Sequence, residues 1–593
     1  MVPKPLQNDI ETLLKAAITA HQQQHLAKAK ELYETLLTQY PEEADIRHLL
    51  GIVLAQQKDF DSAIVNFQKA ITQTPNNASF YSSLGNVYKL QDNFAQAIKA
   101  YQTALALDPN SAETHNNLAT VFYRQQNYTS ALKHYAEALQ LQPDYIDGHF
   151  NLGLLFLREQ NFLAAITQFQ NVVTLNPHHL AAKKHLADLH LHQENLVNAE
   201  QLYRDILHFQ PEDLDVLNNL GVTLLKQNEL EMASNYFSKV IMLDEQHIAA
   251  RNNLAALFLR ENRYDNAARH YKILLELTPN DLEIHYNFAV SLMALGKLSE
   301  AVEHFETVIQ KNSTHVASLC NLAAIYLKLD QTDKAIRYYQ QAESLEPQNH
   351  LVKFMLQALT QSQTPIAAPG DYVQNLFDNY AGYYDKHVAE ALNYQAPLLL
   401  RQTVMDALTS TLSPSENTKT DSRHALDEKI AILDLGCGTG LTGQIFRDIA
   451  SYLIGVDLSS KMIALARLKN CYDELICADI IKYLAENSSS YDLLIAADVL
   501  VYLGDLKEIF SHCQKRLRSN GLFAFTVEVN KNENSDYILQ KTARFAHSKK
   551  YLHRLVKENN FTIVIEQEII PRYQDNKPIT GYLMVLRKNL IHK

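Results

Sequence analysis

Tryptophan is absent from the 593 residues, and glycine and proline number only 16 each. So few turn-forming residues argue against an all-β chain built from many tight hairpins. The five cysteines, Cys320, Cys437, Cys471, Cys477 and Cys513, are an odd number, and no two form a C-x-x-C pair. That excludes a disulfide framework and a cysteine zinc site; no metal is expected, and a reducing, cytoplasmic compartment is the natural reading. Nowhere do about 18 apolar residues run together, so no membrane-spanning helix and no membrane partner are expected. The segment Met1-Val2-Pro3-Lys4-Pro5-Leu6-Gln7-Asn8-Asp9 lacks the apolar core of a signal peptide. Basic charge is scarce over the first 430 residues, with 33 Lys+Arg against 48 Asp+Glu, whereas residues 431–593 carry 21 against 18. An acidic N-terminal part excludes a large nucleic-acid footprint there, and no nucleic-acid partner is expected.

What the first part has instead is a period. Alanine recurs at Ala29, Ala63, Ala97, Ala131, Ala165, Ala199, Ala233, Ala267, Ala301 and Ala335, ten copies 34 residues apart without an insertion. Four residues after each stands an aromatic, from Tyr33 and Phe67 to Phe305 and Tyr339. Twelve before stands Gly or Ala, as at Gly51, Gly85 and Gly221, and twelve after stands Pro in eight of ten. Small residues let two antiparallel helices approach, the aromatic is expected to fill the gap to the next repeat, and the proline ends the second helix. One such unit cannot bury its apolar face alone, so the units must stack.

This pattern resembles the tetratricopeptide repeat family over residues 10–347. Residues 351–359 read as a capping helix, so 10–360 form an all-α solenoid of ten repeats plus a cap. The sixth position of the repeat is asparagine in six copies: Asn117, Asn151, Asn219, Asn253, Asn287 and Asn321. In similar repeats of the O-GlcNAc transferase family, an asparagine ladder at this place holds the backbone of an extended peptide. An amide pairs one donor and one acceptor with a peptide unit, whatever its sequence. The resemblance therefore implies a peptide or protein in the groove; amides that merely face water are the alternative.

Residues 361–370 contain two Pro and one Gly and read as a linker; 371–593 form the second domain. Within it, 371–409 read as N-terminal lid helices, 410–428 as a mobile polar loop and 429–593 as the catalytic core. From 429 onward short apolar runs alternate with helical ones. Seven strands are expected, at 430–434, 452–456, 475–478, 493–497, 521–529, 561–566 and 581–586, in a doubly wound α/β sheet with its ligand at the carboxyl ends.

The first strand runs into Asp434-Leu435-Gly436-Cys437-Gly438-Thr439-Gly440-Leu441-Thr442-Gly443. Gly438-x-Gly440-x-x-Gly443 formally matches the dinucleotide fingerprint. A pyrophosphate wants bare amides at a helix start, not a carboxylate in front of them. Asp434 instead suits an ammonium group. The turn resembles motif I of the class I S-adenosylmethionine-dependent methyltransferases, which have a Rossmann-like sheet. That resemblance implies S-adenosylmethionine as cofactor, held by Asp434, Gly436, Cys437, Gly438 and Gly440. It places Asp457 and Leu458 at the ribose, Asp479 and Ile480 at the adenine, and Asp498 at the methyl-transfer face.

Upstream, Phe377-Asp378-Asn379-Tyr380-Ala381-Gly382-Tyr383-Tyr384-Asp385 is similar to the lid helix of methyltransferases related to the malonyl-carrier O-methyltransferase of biotin synthesis. Tyr380 and Tyr384, four apart, share a helical face and are expected to cover the cofactor; packing as amphipathic core residues is the alternative. Downstream, the segments Ala497-Asp498-Val499-Leu500-Val501-Tyr502-Leu503-Gly504 and Arg544-Phe545-Ala546-His547-Ser548 resemble bacterial methyltransferases that carry tetratricopeptide repeats. His547 is the candidate general base, because imidazole titrates near neutrality, and Tyr551 would share its helical face. A carboxylate nucleophile would need no base. The chain reads as an enzyme whose repeats recruit a protein or protein-tethered substrate. The alternatives are a scaffold with a cofactor-sensing or inactive domain, and a small-molecule enzyme with an unrelated scaffold attached.

Overall fold

The computed structural model describes residues 4–390, 392–409, 429–574 and 577–589. The polar loop expected at 410–428 lies outside them. The chain forms two compact units, Met1–Leu257 and Phe258–Lys593. No helix among the described residues is long and apolar enough to cross a membrane.

The repeats are ten helix pairs, from Lys4–Gln22 with Leu26–Gln39 to Val316–Lys328 with Thr332–Leu345. Local chemistry sets each pair. Asp59, Asn93, Asn127 and Asn161 cap four of the second helices by accepting from an N–H three residues on. Just before them Lys58, Asp92, Gln126 and Gln160 turn the chain at positive φ, between 55° and 64°. In the four repeats whose first helix carries glycine at the small position, that glycine meets the aromatic of its own second helix. A Cβ at Gly51 would stand 2.6 Å from the Phe67 ring, and one at Gly221 would stand 2.6 Å from that of Phe237. The aromatic therefore seats on the glycine of its own repeat rather than only filling the gap to the next, which is why the two positions keep a fixed spacing. The helix His350–Thr360 follows the last pair.

In the second unit the sheet comprises β1 (Ile430–Leu435), β2 (Ala450–Asp457), β3 (Glu474–Cys477), β4 (Tyr491–Ala496), β5 (Leu517–Val529), β6 (Tyr537–Leu539), β7 (Phe545–His547), β8 (Phe561–Gln574) and β9 (Lys577–Lys588). Strands β3-β2-β1-β4-β5 run parallel in that order, and β9 lies antiparallel between β5 and β8. Successive residues alternate between two cores: Leu433, Leu494 and Phe523 enter one face, and Ile432, Leu493 and Leu522 the other. Burial of both faces explains the uninterrupted apolar runs.

Two strands exceed the seven expected. The hairpin β6–β7 extends the sheet past the end of β4, where β7 pairs with Glu528 and Val529. It includes His547, which is thus a strand residue. Ser548 caps the helix Lys549–Glu558 by accepting from Tyr551 N–H, so the helix begins only after the histidine. The expected linker is also pinned down. Ile366 O accepts from Gly504 and Asp505 N–H, each at 2.8 Å, and Ala368 N–H donates to Tyr502 O at 2.9 Å. Phe354 of the capping helix, Tyr372 and Phe545 pack into one cluster with it.

Candidate functional site: a cavity at the carboxyl ends of the strands

The glycine turn after β1 is bound to the end of β2. Gly436 and Cys437 N–H both donate to Val456 O, at 2.7 and 3.0 Å. Gly436 has φ +69°, and a Cβ there would lie 2.4 Å from Val499 Cγ2, so no other residue fits. Gly438 N–H donates to Asp457 Oδ2 and Ser459 N–H to Asp457 Oδ1, both at 2.9 Å. Burial raises the Asp457 carboxyl, against those two amides. Asp479 caps the helix Ile480–Glu486 through Ile481 and Lys482 N–H. Asp434 lies beneath the turn, 1% exposed. Tyr472 OH donates to its Oδ2 at 2.6 Å, whereas its buried Oδ1 has no partner among the described residues. Burial pushes this carboxyl up to about 7.

A cavity of about 200 Å³, open at its mouth, lies over these strand ends. Gly436, Gly438, Asp457, Leu458, Asp479 and Ile480 line it, and so do Asp498 and Tyr384. Asp434, Cys437 and Gly440 are not on the wall. Cys437 is 4% exposed, with its thiol pushed well up by burial. Gly440, at φ +91°, starts the helix Leu441–Phe446.

The segment expected as a lid comprises the helices Gly370–Tyr380 and Tyr384–Glu390 joined by one 3-10 turn. Two acids latch it. Asp378 Oδ1 accepts from Ser459 Oγ at 2.5 Å, beside Asp457. Asp385 accepts from Thr439 Oγ1 at 2.5 Å and pairs with Lys469 at 2.7 Å. Tyr380 and His387 hydrogen-bond to one another. Further on, Tyr573 N–H donates to Leu392 O and Gln395 N–H to Pro571 O, both at 2.8 Å, which fastens the lid's end to β8.

At the β4–β5 end of the cavity a charge cluster is buried. Arg572 Nη1 donates to both carboxylate oxygens of Asp498 at 2.5 Å, and its Nη2 donates to Glu528. Burial pushes Glu528 up to about 7, and the Arg544 guanidinium opposes that. Both arginines line the cavity. No sequence pattern marks either as a site residue: Arg544 stands beside His547 in one motif, and nothing local marks Arg572.

His547 and Tyr551 are not brought to this site, which corrects the expectation of a catalytic pair. His547 is fully buried in β7, and its Nε2–H donates to Leu503 O at 2.9 Å and Gly504 O at 3.1 Å. Burial lowers its pKa to about 4. Tyr551 OH donates to Asp505 Oδ1 and accepts from Leu506 N–H, each at 2.8 Å. Together they hold the loop 503–506 that carries the pinned linker.

Most of the ladder asparagines are engaged between repeats, whereas at Asn287 it is the backbone carbonyl that is bonded, within its own helix. Asn151, Asn219 and Asn253 donate to Asn116, Asp188 and Asn218 at 3.0, 3.0 and 3.1 Å, and Asn117 accepts from Lys89 at 2.8 Å. Ser291 donates to Asn287 O, and Asn321 hydrogen-bonds Tyr286.

With this geometry in hand, comparison with known proteins defines the class of each part. A family described as a methyltransferase domain matches residues 433–525. Tetratricopeptide repeat families match 11–43, 53–92, 83–146, 150–214, 217–281, 258–320 and 316–349. The chain is thus a tetratricopeptide solenoid followed by a methyltransferase domain. No curated protein matches it. Solved structures similar to the repeats include YrrB, described as a TPR protein with an unusual peptide-binding site. It is 23% identical over 31% of this chain and 95% of its own, at TM-score 0.29. PilF of Pseudomonas aeruginosa is 24% identical over 35% and 95%, at TM-score 0.32. A repeat protein of Parabacteroides merdae is 20% identical over 42% and 99%, at TM-score 0.32.

Proposed function

We propose that the chain is an S-adenosylmethionine-dependent methyltransferase whose repeats recruit a protein or protein-tethered acceptor. The observation that carries this reading is the Asp434 Oδ1 left without a donor under a glycine turn braced by Asp457. A buried carboxylate oxygen without a donor is costly, and an ammonium group above the turn would relieve it. The residues present therefore fit the cofactor. Gly436 and Gly438 admit it to the backbone, Asp457 with Leu458 takes its ribose, and Asp479 with Ile480 its adenine. Cys437 and Gly440 shape the turn from behind, Asp498 stands at the methyl-transfer face, and Tyr384 covers the cofactor from the lid. When bound, the cofactor supplies a methyl group already activated by its sulfonium.

The protein's share is then alignment and exclusion of water. The latched lid covers part of the cavity, and its acids Asp378 and Asp385 hold the helix start and the glycine turn that carry the cofactor-facing residues. Cofactor binding would hold Asp434 ionised, so affinity is expected to rise with pH through about 7. Calorimetry on the full chain tests the reading. Saturable binding is expected, Asp457→Ala should weaken it by roughly 1.5–3 kcal/mol, and Asp434→Asn should abolish the pH dependence. Equal binding by Asp457→Ala, or preference for a nicotinamide dinucleotide, overturns it. Incubation of a lysate with radioactive-methyl cofactor then shows whether label follows protein or small metabolites.

A further inference from the structure

The order of the strands spreads the cavity into two ends. Asp479 follows β3, Asp457 ends β2, the glycine turn follows β1, Asp498 follows β4 and Glu528 lies near the end of β5. At about 4.8 Å per strand, the β5 end stands roughly 10 Å beyond the glycine turn. The cofactor-facing residues occupy β3 to β1. The other end is left for the molecule that receives the methyl group, and there the wall carries two guanidinium groups.

They are not equivalent. Arg572 is 2% exposed and has its acids in hand, with Nη1 on both oxygens of Asp498 and Nη2 on Glu528. Arg544 comes from the turn between β6 and β7, with its side chain 24% exposed and facing the cavity. Its Nη1 stands 3.8 Å from Glu528 Oε1, beyond hydrogen-bond reach, and that carboxylate is already taken by Arg572. Tyr502 gives Arg544 one hydrogen-bond partner, with the guanidinium carbon 5.9 Å from the ring centre. A guanidinium has five donors in a planar fork matched to a carboxylate, and here it lines a largely apolar cavity with donors to spare beyond Tyr502. With both acids ionised the four charges of the cluster sum to zero, so the fork's geometry rather than net charge must hold an incoming anion.

We propose that Arg544 anchors a carboxylate on the methyl acceptor, and that the methylated atom is a different one. This deepens the methyltransferase reading and rests on it. A carboxylate engaged by a guanidinium fork has its lone pairs committed to hydrogen bonds and its charge compensated, which makes it a poor nucleophile. Anchored at the β5 end, it leaves the rest of the acceptor to reach back toward the glycine turn between Tyr384 and Asp498. Aromatic side chains at this end, Phe377, Tyr384 and Tyr502, favour a flat acceptor body.

The test uses the full chain saturated with S-adenosylhomocysteine, with benzoate and benzamide as probes of equal shape. Binding of S-adenosylhomocysteine is measured first by calorimetry; its absence sinks the methyltransferase reading itself. Given that binding, benzoate should bind with a dissociation constant on the order of millimolar and benzamide about tenfold more weakly or worse. Arg544→Gln should remove the preference for benzoate, Arg544→Lys should keep part of it, and neither should move S-adenosylhomocysteine affinity more than about threefold. Circular dichroism establishes that each variant is folded; should Arg544→Gln not fold, the benzoate–benzamide pair and Arg544→Lys still decide. Equal binding of the two probes overturns the proposal, as does no benzoate binding at tens of millimolar. Benzoate binding untouched by Arg544→Gln also overturns it. Loss of S-adenosylhomocysteine in the variants would assign the guanidinium to the cofactor instead, and that too ends the proposal.

Discussion

The repeats and the sheet domain use glycine for opposite purposes. In the repeats Gly51, Gly85, Gly153 and Gly221 each make room for the aromatic of their own helix pair, the same contact repeated along the chain. In the sheet domain Gly436 makes one contact that occurs once, where the turn after β1 presses against Val499 at positive φ. Polar side chains divide in the same way. Asn151, Asn219 and Asn253 each tie one repeat to the one before. Asp457 and Arg572 have no second copy. Redundancy makes the repeats tolerant and the sheet domain brittle.

Matched substitutions should break the comparison most sharply. Gly436→Val places a side chain against Val499 in a backbone conformation that branched residues avoid, and it should abolish cofactor binding measured by calorimetry. Gly51→Val meets the Phe67 ring at a similar distance. There the expected cost is about 1–3 kcal/mol of overpacking, seen as a lowered unfolding midpoint, with cofactor affinity unchanged. Equal loss of cofactor binding in both would show that the two parts are not independent in the way their contacts suggest.

A smaller effect separates the two parts by pH. His547 is buried and neutral, with a pKa near 4 against about 6.5 when exposed. Below 6.5 the unfolded chain binds a proton that the folded one refuses, so this histidine's contribution is complete above 6.5 and is lost as pH falls toward 4. The shift corresponds to roughly 3 kcal/mol. Because Asp434 and Glu528 are shifted the other way, the test is a difference: denaturant titrations of the parent and His547→Gln at pH 7 and pH 5. The parent should lose more stability between the two than the variant. Parallel losses would place the pH sensitivity elsewhere.

How far the fold was legible follows the same division. Ten copies of a 34-residue spacing make the helix pairs visible without a structure, although the contact of Gly51 with Phe67 of its own repeat was not read from it. The glycine turn and Asp457 were legible because one local motif and the end of the next strand hold them. Arg572 was not, since its meeting with Asp498, 74 residues away, depends on how β8 lies across the sheet. His547 was misread because a four-residue spacing to Tyr551 suggests a helix, while Ser548 between them is a helix start. Residues 361–370 have linker composition, yet Ile366 and Ala368 pair with 502–505 through backbone groups that composition does not show. Asp378 and Asp385 stood in the lid motif as letters only; their partners Ser459 and Thr439 came from the fold.

The smallest expected effect concerns the asparagine ladder, where the structure adds a second role to the one the spacing suggests. The amides of Asn219 and Asn253 donate to Asp188 and Asn218 of the preceding repeats, which leaves each with one donor hydrogen and carbonyl capacity for an extended chain. Replacing Asn219, Asn253 and Asn287 together by Ala removes two inter-repeat hydrogen bonds seen here, at about 1 kcal/mol each. The repeats should lose about that much stability, and cofactor affinity should not change. If the ladder also holds a peptide, capture of a protein partner should fall by more than this loosening explains. Asp188→Asn separates the two causes, because it keeps an acceptor for Asn219 while leaving the ladder itself intact. Pull-down and thermal unfolding measured side by side on the parent, Asp188→Asn and the triple variant give the answer. A triple variant that captures its partners as well as the parent would reduce the ladder to a brace between repeats, and the recruiting surface would have to be sought on another face of the helices.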